Sequence, residues 1–185
     1  MSQGPFASIR AMHREPTVIE SAWFDSPLGA APRGTLRLDA SERGVCRVEF
    51  GASGAPARRP RPAHAALRLA LDELREFFAG RAGRSRVPLD LSCGTGFERT
   101  VWETLAREVG PGELVTYGVL AERAGYPGAA RAVGAAMGKN RIPIFVPCHR
   151  VVAAGARPGG FGFGLAAKHA LLACEGSVLP GWDAS

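Results

Sequence analysis

The residue that could carry chemistry most directly is Cys148, which lies in the segment Pro147-Cys148-His149-Arg150. Pro147 fixes its own φ and has no N–H to donate, so the short apolar run before it must turn there and leaves the cysteine at a bend. The basic neighbours His149 and Arg150 could favour the thiolate, which is the nucleophilic form of cysteine. The segment therefore indicates a candidate nucleophile.

The same residues also have a purely structural interpretation. Free cysteines are among the most buried residue types and act as small hydrophobes, and a histidine beside one is often a hydrogen-bonded core or surface group. Adjacent residues of an extended chain point to opposite faces, so His149 need not face Cys148. These residues alone do not decide between a nucleophile and a packing cysteine.

Basic side chains are concentrated around this segment. The chain has 185 residues and a formal net charge of +6, and no Asp or Glu lies between Glu122 and Glu175. The Arg and Lys residues of that interval are Arg123, Arg131, Lys139, Arg141, Arg150, Arg157 and Lys168. Such a block predicts a positive potential of the kind that nucleic-acid binding requires, although a solvated basic face would have the same composition.

Composition argues against several protein classes. No apolar run approaches the length that crosses a bilayer, and Met1-Ser-Gln-Gly-Pro lacks the charged start and apolar block of a signal peptide. We therefore expect a cytoplasmic protein with no membrane partner. The four cysteines are far apart and have no zinc-site spacing, so we expect free thiols and no metal.

The first part of the chain is predicted to form a small sheet with one helix. Residues 1–16 are interpreted as a flexible tail. Apolar residues recur at helical spacing over residues 63–79, and Gly80 is placed to end that helix. The sequence thus predicts an N-terminal α/β domain over residues 17–92. Alternation of apolar and polar residues between Pro/Gly turns predicts three antiparallel strands, at residues 18–24, 35–39 and 45–50.

The second part, residues 93–185, is predicted to be a mostly helical domain. Thr95 and Glu98 have the spacing of a capping box, at the start of a helix that ends before Gly110. Short helices are predicted at residues 117–124, capped by Thr116 and ended by Gly125, and at residues 128–138, with Pro127 suited to start the second helix. Together they predict a helix-turn-helix of winged-helix-like form. A last helix is predicted at residues 165–174. The fold class is therefore α+β.

The helix at residues 128–138 consists almost entirely of small residues, and Arg131 is its only long polar side chain. Small side chains let a helix approach another surface closely, so Arg131 would project alone. The same composition fits a helix packed on a neighbour, with Arg131 reaching to water. After Cys148, the glycine-rich residues 153–164 lack the lysine of a P-loop and are interpreted as a flexible wall or lid.

Taken together, these residues resemble the O6-alkylguanine-DNA alkyltransferases, also called methylated-DNA–protein-cysteine methyltransferases. The resemblance runs from Phe97 to Gly176 almost without gaps, whereas the N-terminal part resembles the family only in layout. It rests on Thr116-Tyr117, Ala129-Ala-Arg-Ala-Val-Gly, Asn140, Pro143, Pro147-Cys148-His149-Arg150 with Val151-Val152, and Leu171-Leu-Ala-Cys-Glu-Gly.

The resemblance implies DNA repair by a single-turnover reaction, with residues 93–185 as the catalytic and DNA-binding domain. Cys148 would take the alkyl group from O6 of a damaged guanine and would not be regenerated. His149 would remove the thiol proton through a water molecule, and Glu175 would orient the histidine. Asn140 would bond the backbone around the segment that bears the cysteine, and Tyr117 would complete the catalytic set. No cofactor is implied.

The resemblance also implies the partner, which is double-stranded DNA containing O6-alkylguanine, bound through its minor groove by a monomer. The damaged nucleotide would be flipped out, Arg131 would take its place in the stack, and Tyr117 would lie beside it. The small residues that allow close approach would be Ala130, Ala132 and Gly134. The substrate pocket would be formed by Val151, Phe161, Gly162 and Phe163. We expect little sequence preference and a marked salt dependence.

The chain departs from the family pattern in the glycine-rich loop. Many relatives have Tyr where this chain has Phe161, and a small residue or Gly where it has Phe163. We therefore expect reaction with bulky adducts to be affected more than reaction with methyl. Two alternatives remain: a non-catalytic lesion binder, against which Cys148 argues, and a helix-turn-helix regulator, for which the small-residue helix has few base-reading side chains.

Overall fold

The computed structural model describes residues 15–27 and 34–178, and these residues form an α+β fold as predicted. The predicted flexible tail lies outside the described residues up to residue 14. In chain order the elements are β1 (Glu20–Asp25), β2 (Thr35–Ser41), β3 (Gly44–Glu49), α1 (Ala65–Phe78), α2 (Gly96–Glu108), β4 (Val115–Thr116), α3 (Tyr117–Arg123), α4 (Ala130–Gly138), β5 (Val151–Val152) and α5 (Leu165–Cys174). Short 3-10 helices lie at Cys148–Arg150 and Ala154–Ala156.

The N-terminal sheet is an antiparallel meander in the order β1-β2-β3, and α1 packs on it. Alternation in β2 places Leu36 and Leu38 in the core, where they meet Leu67 and Leu74 of α1. The helix begins after His64, whose ring accepts the N–H of Ala66, and ends before a glycine with a positive φ. The predicted sheet and helix are both present.

Helix α2 begins with the predicted capping box. The Thr95 hydroxyl accepts the Glu98 N–H, and the Glu98 carboxylate accepts the Thr95 N–H. Trp102 is almost fully buried in α2, and its indole N–H donates to the Ala136 carbonyl of α4 at 3.0 Å. Gly94 is required beneath this ring, because a Cβ there would lie 2.3 Å from it. Helix α2 therefore fixes the position of α4.

The helix-turn-helix is formed by α3 and α4. The Thr116 hydroxyl caps α3, and Gly125 follows α3 with φ +82°. Helix α4 begins at Ala130, two residues later than predicted, and Pro127 lies in the preceding turn rather than at the helix start. The reason is Gly128, whose φ of +81° is incompatible with a right-handed helix.

Two short pairings were not predicted. Strands β4 and β5 run parallel, with Val115 beside Val151 and Thr116 beside Val152, and so connect the start of α3 to the residues that follow Cys148. The segment around Leu89 makes a single parallel bridge to Val45. The position before Val45 must be glycine, because a Cβ there would lie 2.2 Å from a backbone carbonyl oxygen.

One continuous apolar core joins the two parts of the chain. Leu38 and Leu74 belong to the same buried cluster as Leu105, Leu120 and Val146. The domain boundary at residues 92 and 93 stays a prediction. None of the helices in the described ranges combines the length and apolar character of a membrane span.

Candidate active site

Cys148 begins a tight turn, as the preceding proline predicted. The Cys148 N–H donates to the Val146 carbonyl at 2.8 Å, and the Arg150 N–H donates to the Pro147 carbonyl at 2.9 Å. Ile144 has φ +75°, which makes it the one non-glycine residue with a positive φ in the described part of the chain. A β-branched residue in this conformation is strained, so the surrounding contacts must hold the segment in place.

Asn140 supplies several of those contacts through one amide. Its Nδ2 donates to the Val146 carbonyl at 2.8 Å and to the Cys148 sulfur at 3.1 Å, and its Oδ1 accepts the Ile142 N–H at 2.9 Å. The amide nitrogen and the amide oxygen therefore both form hydrogen bonds, which fixes the orientation of the side chain. The contact of Asn140 with backbone around the cysteine agrees with the expectation, and the contact with the sulfur adds to it.

The thiol of Cys148 is protonated in the resting protein. Only 8% of the residue is exposed, and burial raises the pKa of the thiol, although the hydrogen bond from Asn140 acts in the opposite direction. The prediction that His149 and Arg150 favour the thiolate is therefore wrong for the resting state, because both side chains turn to Glu175 instead. The proton must be removed during any reaction of the sulfur.

Behind the turn, His149, Arg150 and Glu175 form a buried network. The imidazole Nε2 lies 2.9 Å from the Glu175 Oε1, and the Arg150 guanidinium binds both oxygens of the same carboxylate at 2.7 to 3.1 Å. Arg150 also donates to the Val109 carbonyl at 2.6 Å, and the Gly112 N–H donates to Glu175 at 3.1 Å. The Glu175 side chain is fully buried, so it is not an ordinary surface charge at a helix end.

Electrostatics define the protonation states of this network. Burial alone would raise the pKa of Glu175, but the hydrogen bonds from His149 and Arg150 prevail and lower it to about 2. Burial lowers the pKa of His149 despite the neighbouring carboxylate, so the imidazole is neutral at physiological pH. Because a carboxylate can only accept, the proton lies on Nε2 and the lone pair on Nδ1.

The Nδ1 atom of His149 is available as a base. It is buried and makes no hydrogen bond within the described residues. The edge-to-face contact with Phe77 of α1, at 6.0 Å between ring centroids, also restricts the imidazole ring. The geometry thus presents a neutral, oriented histidine whose free nitrogen can accept a proton.

Two residues of the predicted basic surface, Arg150 and Lys168, are in fact buried. Lys168 is fully buried, and its ammonium donates to the Val151 and Pro158 carbonyls, which ties β5 to the chain that leads into the glycine-rich loop. Burial lowers the pKa of Lys168 to about 8. Arg150 is 6% exposed and belongs to the buried network. The sequence contains a signal for this role of Arg150. Glu175 is the first carboxylate after a long interval without Asp or Glu, which makes it a candidate partner for a buried cation of that interval.

The remaining basic residues of the interval form a more modest charged surface than predicted. Arg123, Lys139 and Arg141 pair with carboxylates outside the interval. Arg131 and Arg157 are exposed. The pairs of Arg123 and Arg141 are partly exposed and contribute little stability, whereas the carboxylate that binds Lys139 is the buried Glu98. All three cations are themselves exposed and still available to a polyanion.

Cys148 opens onto a cavity of about 430 Å³ between α4 and the glycine-rich loop. We call it the Cys148 cavity. It is lined by Tyr117, Gly134, Met137, Gly138, Asn140, Cys148, Gly160, Phe161, Gly162 and Phe163. The predicted pocket residues Phe161, Gly162 and Phe163 are therefore brought together. Val151 differs from the prediction, because its side chain is fully buried in β5 and does not line the cavity.

Tyr117 lies between α4 and the loop. Its hydroxyl is 3.5 Å from the Gly160 carbonyl, and a Cβ on Gly159 would lie 3.0 Å from the same hydroxyl. On α4, Arg131 and Ala132 are exposed, and Ala130 and Gly134 are half-buried. Arg131 precedes Gly134 of the cavity wall by three residues, so the two share one face of the helix.

No group of three or more His, Cys, Asp or Glu residues in the described ranges is arranged to hold a metal ion. The cysteines there are free thiols, as expected. Burial raises the pKa of Cys46, Cys93 and Cys174 as it does for Cys148. The Cys148 thiol differs from them in lining the Cys148 cavity and in its hydrogen bond from Asn140.

Comparisons with known proteins agree on one family. Residues 96–177 match the family described as the DNA-binding domain of 6-O-methylguanine DNA methyltransferase. A methylated-DNA–protein-cysteine methyltransferase of Mycobacterium tuberculosis is 47% identical over 111 residues, which cover 60% of this chain and 66% of that relative. One of Mycobacterium leprae is 45% identical over 114 residues, which cover 62% of this chain and 68% of the relative.

Solved structures extend the similarity over most of the chain. The crystal structure of Mycobacterium tuberculosis OGT in complex with DNA has a TM-score of 0.69 and 37% identity, and the match covers 84% of this chain and 92% of that one. The O6-methylguanine-DNA methyltransferase of Pyrococcus kodakaraensis strain KOD1 has a TM-score of 0.61 and 26% identity, with coverage of 85% and 99%.

Proposed function

The chain belongs to the methylated-DNA–protein-cysteine methyltransferase family, and we propose that it repairs DNA by moving an alkyl group from O6 of guanine to Cys148 in a single, irreversible turnover. The observation that carries this proposal is the placement of the Cys148 sulfur. It lines a cavity of about 430 Å³, accepts a hydrogen bond from Asn140, and is adjacent in sequence to a buried neutral histidine.

The first step of the reaction is removal of the thiol proton. Because the resting pKa of Cys148 is raised, the thiolate must form as substrate reacts rather than beforehand. His149 is the base in this proposal, with Nδ1 accepting the proton through one water molecule. The ionised Glu175 then stabilises the imidazolium, and Arg150 helps to keep that carboxylate ionised.

Alkyl transfer follows as a displacement at carbon. The sulfur of Cys148 forms an S–C bond while the C–O6 bond of the adduct breaks, and the electron pair remains on the guanine oxygen. The guanine anion regains its keto form by taking up a proton at N1, and the His149 imidazolium releases the proton that it took from the thiol, so that protons and charge balance. The Asn140 Nδ2 lies 3.1 Å from the sulfur and stabilises the thiolate that forms as the proton leaves, before the S–C bond is made. The thioether product has no route back to thiol, which makes the reaction single-turnover.

Delivery of the base requires DNA to be opened. The reacting O6 is inside the duplex, so the nucleotide must be flipped into the Cys148 cavity at a cost of a few kcal/mol. We assign α4 to the minor groove, where Ala130, Ala132 and Gly134 allow close approach and the exposed Arg131 fills the vacated stack. Tyr117, which lines the cavity next to α4, contacts the flipped nucleotide.

This assignment has consequences for affinity and location. Contacts to phosphates and to a deformed groove do not read sequence, so binding has little sequence preference and weakens steeply with salt. One chain contains both α4 and the cavity, so we propose that the monomer is active. The proposed location is the cytoplasm, where a bacterial relative would meet DNA directly.

The test is intact mass measurement with peptide mapping after incubation with a duplex that contains one O6-methylguanine. The expected result is a gain of one methyl group on Cys148, restoration of guanine, and no more than one turnover per molecule. Cys148→Ser should bind the lesion without gaining mass, whereas Cys93→Ser should react like the wild type. Lesion binding without mass gain in the wild type would indicate a non-catalytic lesion binder instead. Sequence-specific binding unaffected by Cys148→Ala would indicate a regulator.

A further inference from the structure

The outer wall of the Cys148 cavity is a segment with few internal constraints. We call residues 159–164 the pocket loop; four of the six are glycine. Gly159 and Gly164 have positive φ values of +68° and +85°. Glycine backbone has wide conformational freedom, so the contacts of Phe161 and Phe163 help to define where the loop sits, together with the contact of the Tyr117 hydroxyl with the Gly160 carbonyl.

Three aromatic rings connect the pocket loop to the N-terminal sheet. The Phe163 ring meets the Phe161 ring at 5.7 Å between centroids and the Phe50 ring at 4.5 Å, both edge to face. Phe161 and Phe163 line the Cys148 cavity, while Phe50 directly follows β3. The row therefore runs from the end of a strand to the wall of the cavity.

Backbone hydrogen bonds hold the strand end of this row in place. Strand β3 pairs with β2 along its length, and the Ala52 N–H closes the end of the sheet on the Thr35 carbonyl at 3.0 Å. The Val48 N–H of the same strand donates to the Arg141 carbonyl at 2.8 Å, next to Asn140. Phe50 is thus held by a strand that also contacts the opposite side of the site.

We propose that Phe50 is a positioning residue that sets adduct specificity. Through Phe163 it holds Phe161 and the pocket loop against the Cys148 cavity, and so limits the size of alkyl group that the cavity accepts. Loss of one edge-to-face contact changes an equilibrium by about 2- to 10-fold. This inference rests on the proposed function, because it requires the alkylated guanine to react in that cavity.

The experiment compares single-turnover rates on duplexes that carry O6-methylguanine or O6-benzylguanine. Phe50→Ala should raise the ratio of the benzyl rate to the methyl rate by about 2- to 10-fold, and Phe50→Leu, which keeps apolar volume, should raise it less. The matched control is Phe24→Ala, which also removes an aromatic pair of the N-terminal sheet, with Phe78 at 5.5 Å, although neither ring lines the cavity. The control should leave the ratio unchanged.

A double-mutant cycle distinguishes positioning from general loosening of the fold. Because Phe50 acts through Phe163, Phe50→Ala should add nothing to the ratio in a Phe163→Ala background. An unchanged ratio in folded Phe50→Ala and Phe50→Leu, or full additivity with Phe163→Ala, would overturn the inference. Absence of methyl transfer by the wild type would instead overturn the proposed function, so the two failures are separable.

Discussion

Replacing Glu175 by Gln removes the one charge that holds His149 and Arg150 together in the interior. Gln has nearly the shape of a protonated Glu, so the substitution mimics protonation of the carboxyl at a fixed pH. It also leaves the Arg150 guanidinium buried with a neutral partner, which is costly. We therefore expect Glu175→Gln to lower both stability and transfer rate.

The magnitude follows from the pKa of the carboxyl. Its fall from 4.5 to about 2 favours the ionised form by about 3 kcal/mol, at about 1.4 kcal/mol per pH unit. Since the pKa is lowered in the folded protein, this stabilisation is complete above pH 4.5 and is lost as pH falls towards 2. For a chain of this size the expected decrease in Tm at neutral pH is about 6 to 12 °C.

Urea denaturation at pH 7 measures the decrease in the free energy of unfolding directly. The matched control is Glu113→Gln, which removes a carboxylate that also binds an arginine and a backbone N–H, but whose side chain is 39% exposed. We expect this control to cost less than about 1 kcal/mol. If Glu175→Gln itself lowers the free energy of unfolding by less than about 1 kcal/mol, the electrostatic account of the buried network is wrong. It is also wrong if the difference in unfolding free energy between variant and wild type does not decrease as pH falls towards 2.

Three further predictions concern the reaction. Arg131→Ala should slow methyl transfer from duplex DNA by roughly 10- to 100-fold while reaction with a free modified base is unchanged, and equal losses would exclude the stacking role. Asn140→Ala should slow transfer roughly 10-fold in single-turnover kinetics, and a wild-type rate would show that its contact with sulfur is dispensable. Because burial lowers the pKa of His149 below 6.5, the transfer rate should stay constant as pH falls through 6.5 and decline only below it. A decline centred above that value would remove His149 as the base.

Local signals in the sequence were sufficient to predict the helices. The capping box of Thr95 and Glu98 and the cap at Thr116 act within a few residues, so spacing alone reveals them. The error at Pro127 has a local cause as well. The positive φ of Gly128 determines where α4 begins, and the sequence does not reveal it because glycine adopts positive and negative φ about equally readily.

Contacts between distant residues could not be predicted in the same way. Arg150 and Glu175 are 25 residues apart and meet only because α5 packs beside the reactive turn. The burial of Lys168 depends on carbonyls from two other segments. The pairing of β4 with β5 involves two residues in each strand, too few for a periodic pattern.

The short parallel pair of β4 and β5 has a consequence for substitutions on the helix-turn-helix. Thr116 is both the end of β4 and the cap of α3, while Val151 directly follows the reactive turn. Backbone pairing between these segments sets how deep the sulfur lies beneath the outer face of the helix-turn-helix. If the proposed function holds, substitutions on that face change how tightly DNA is bound without changing the depth at which the sulfur lies.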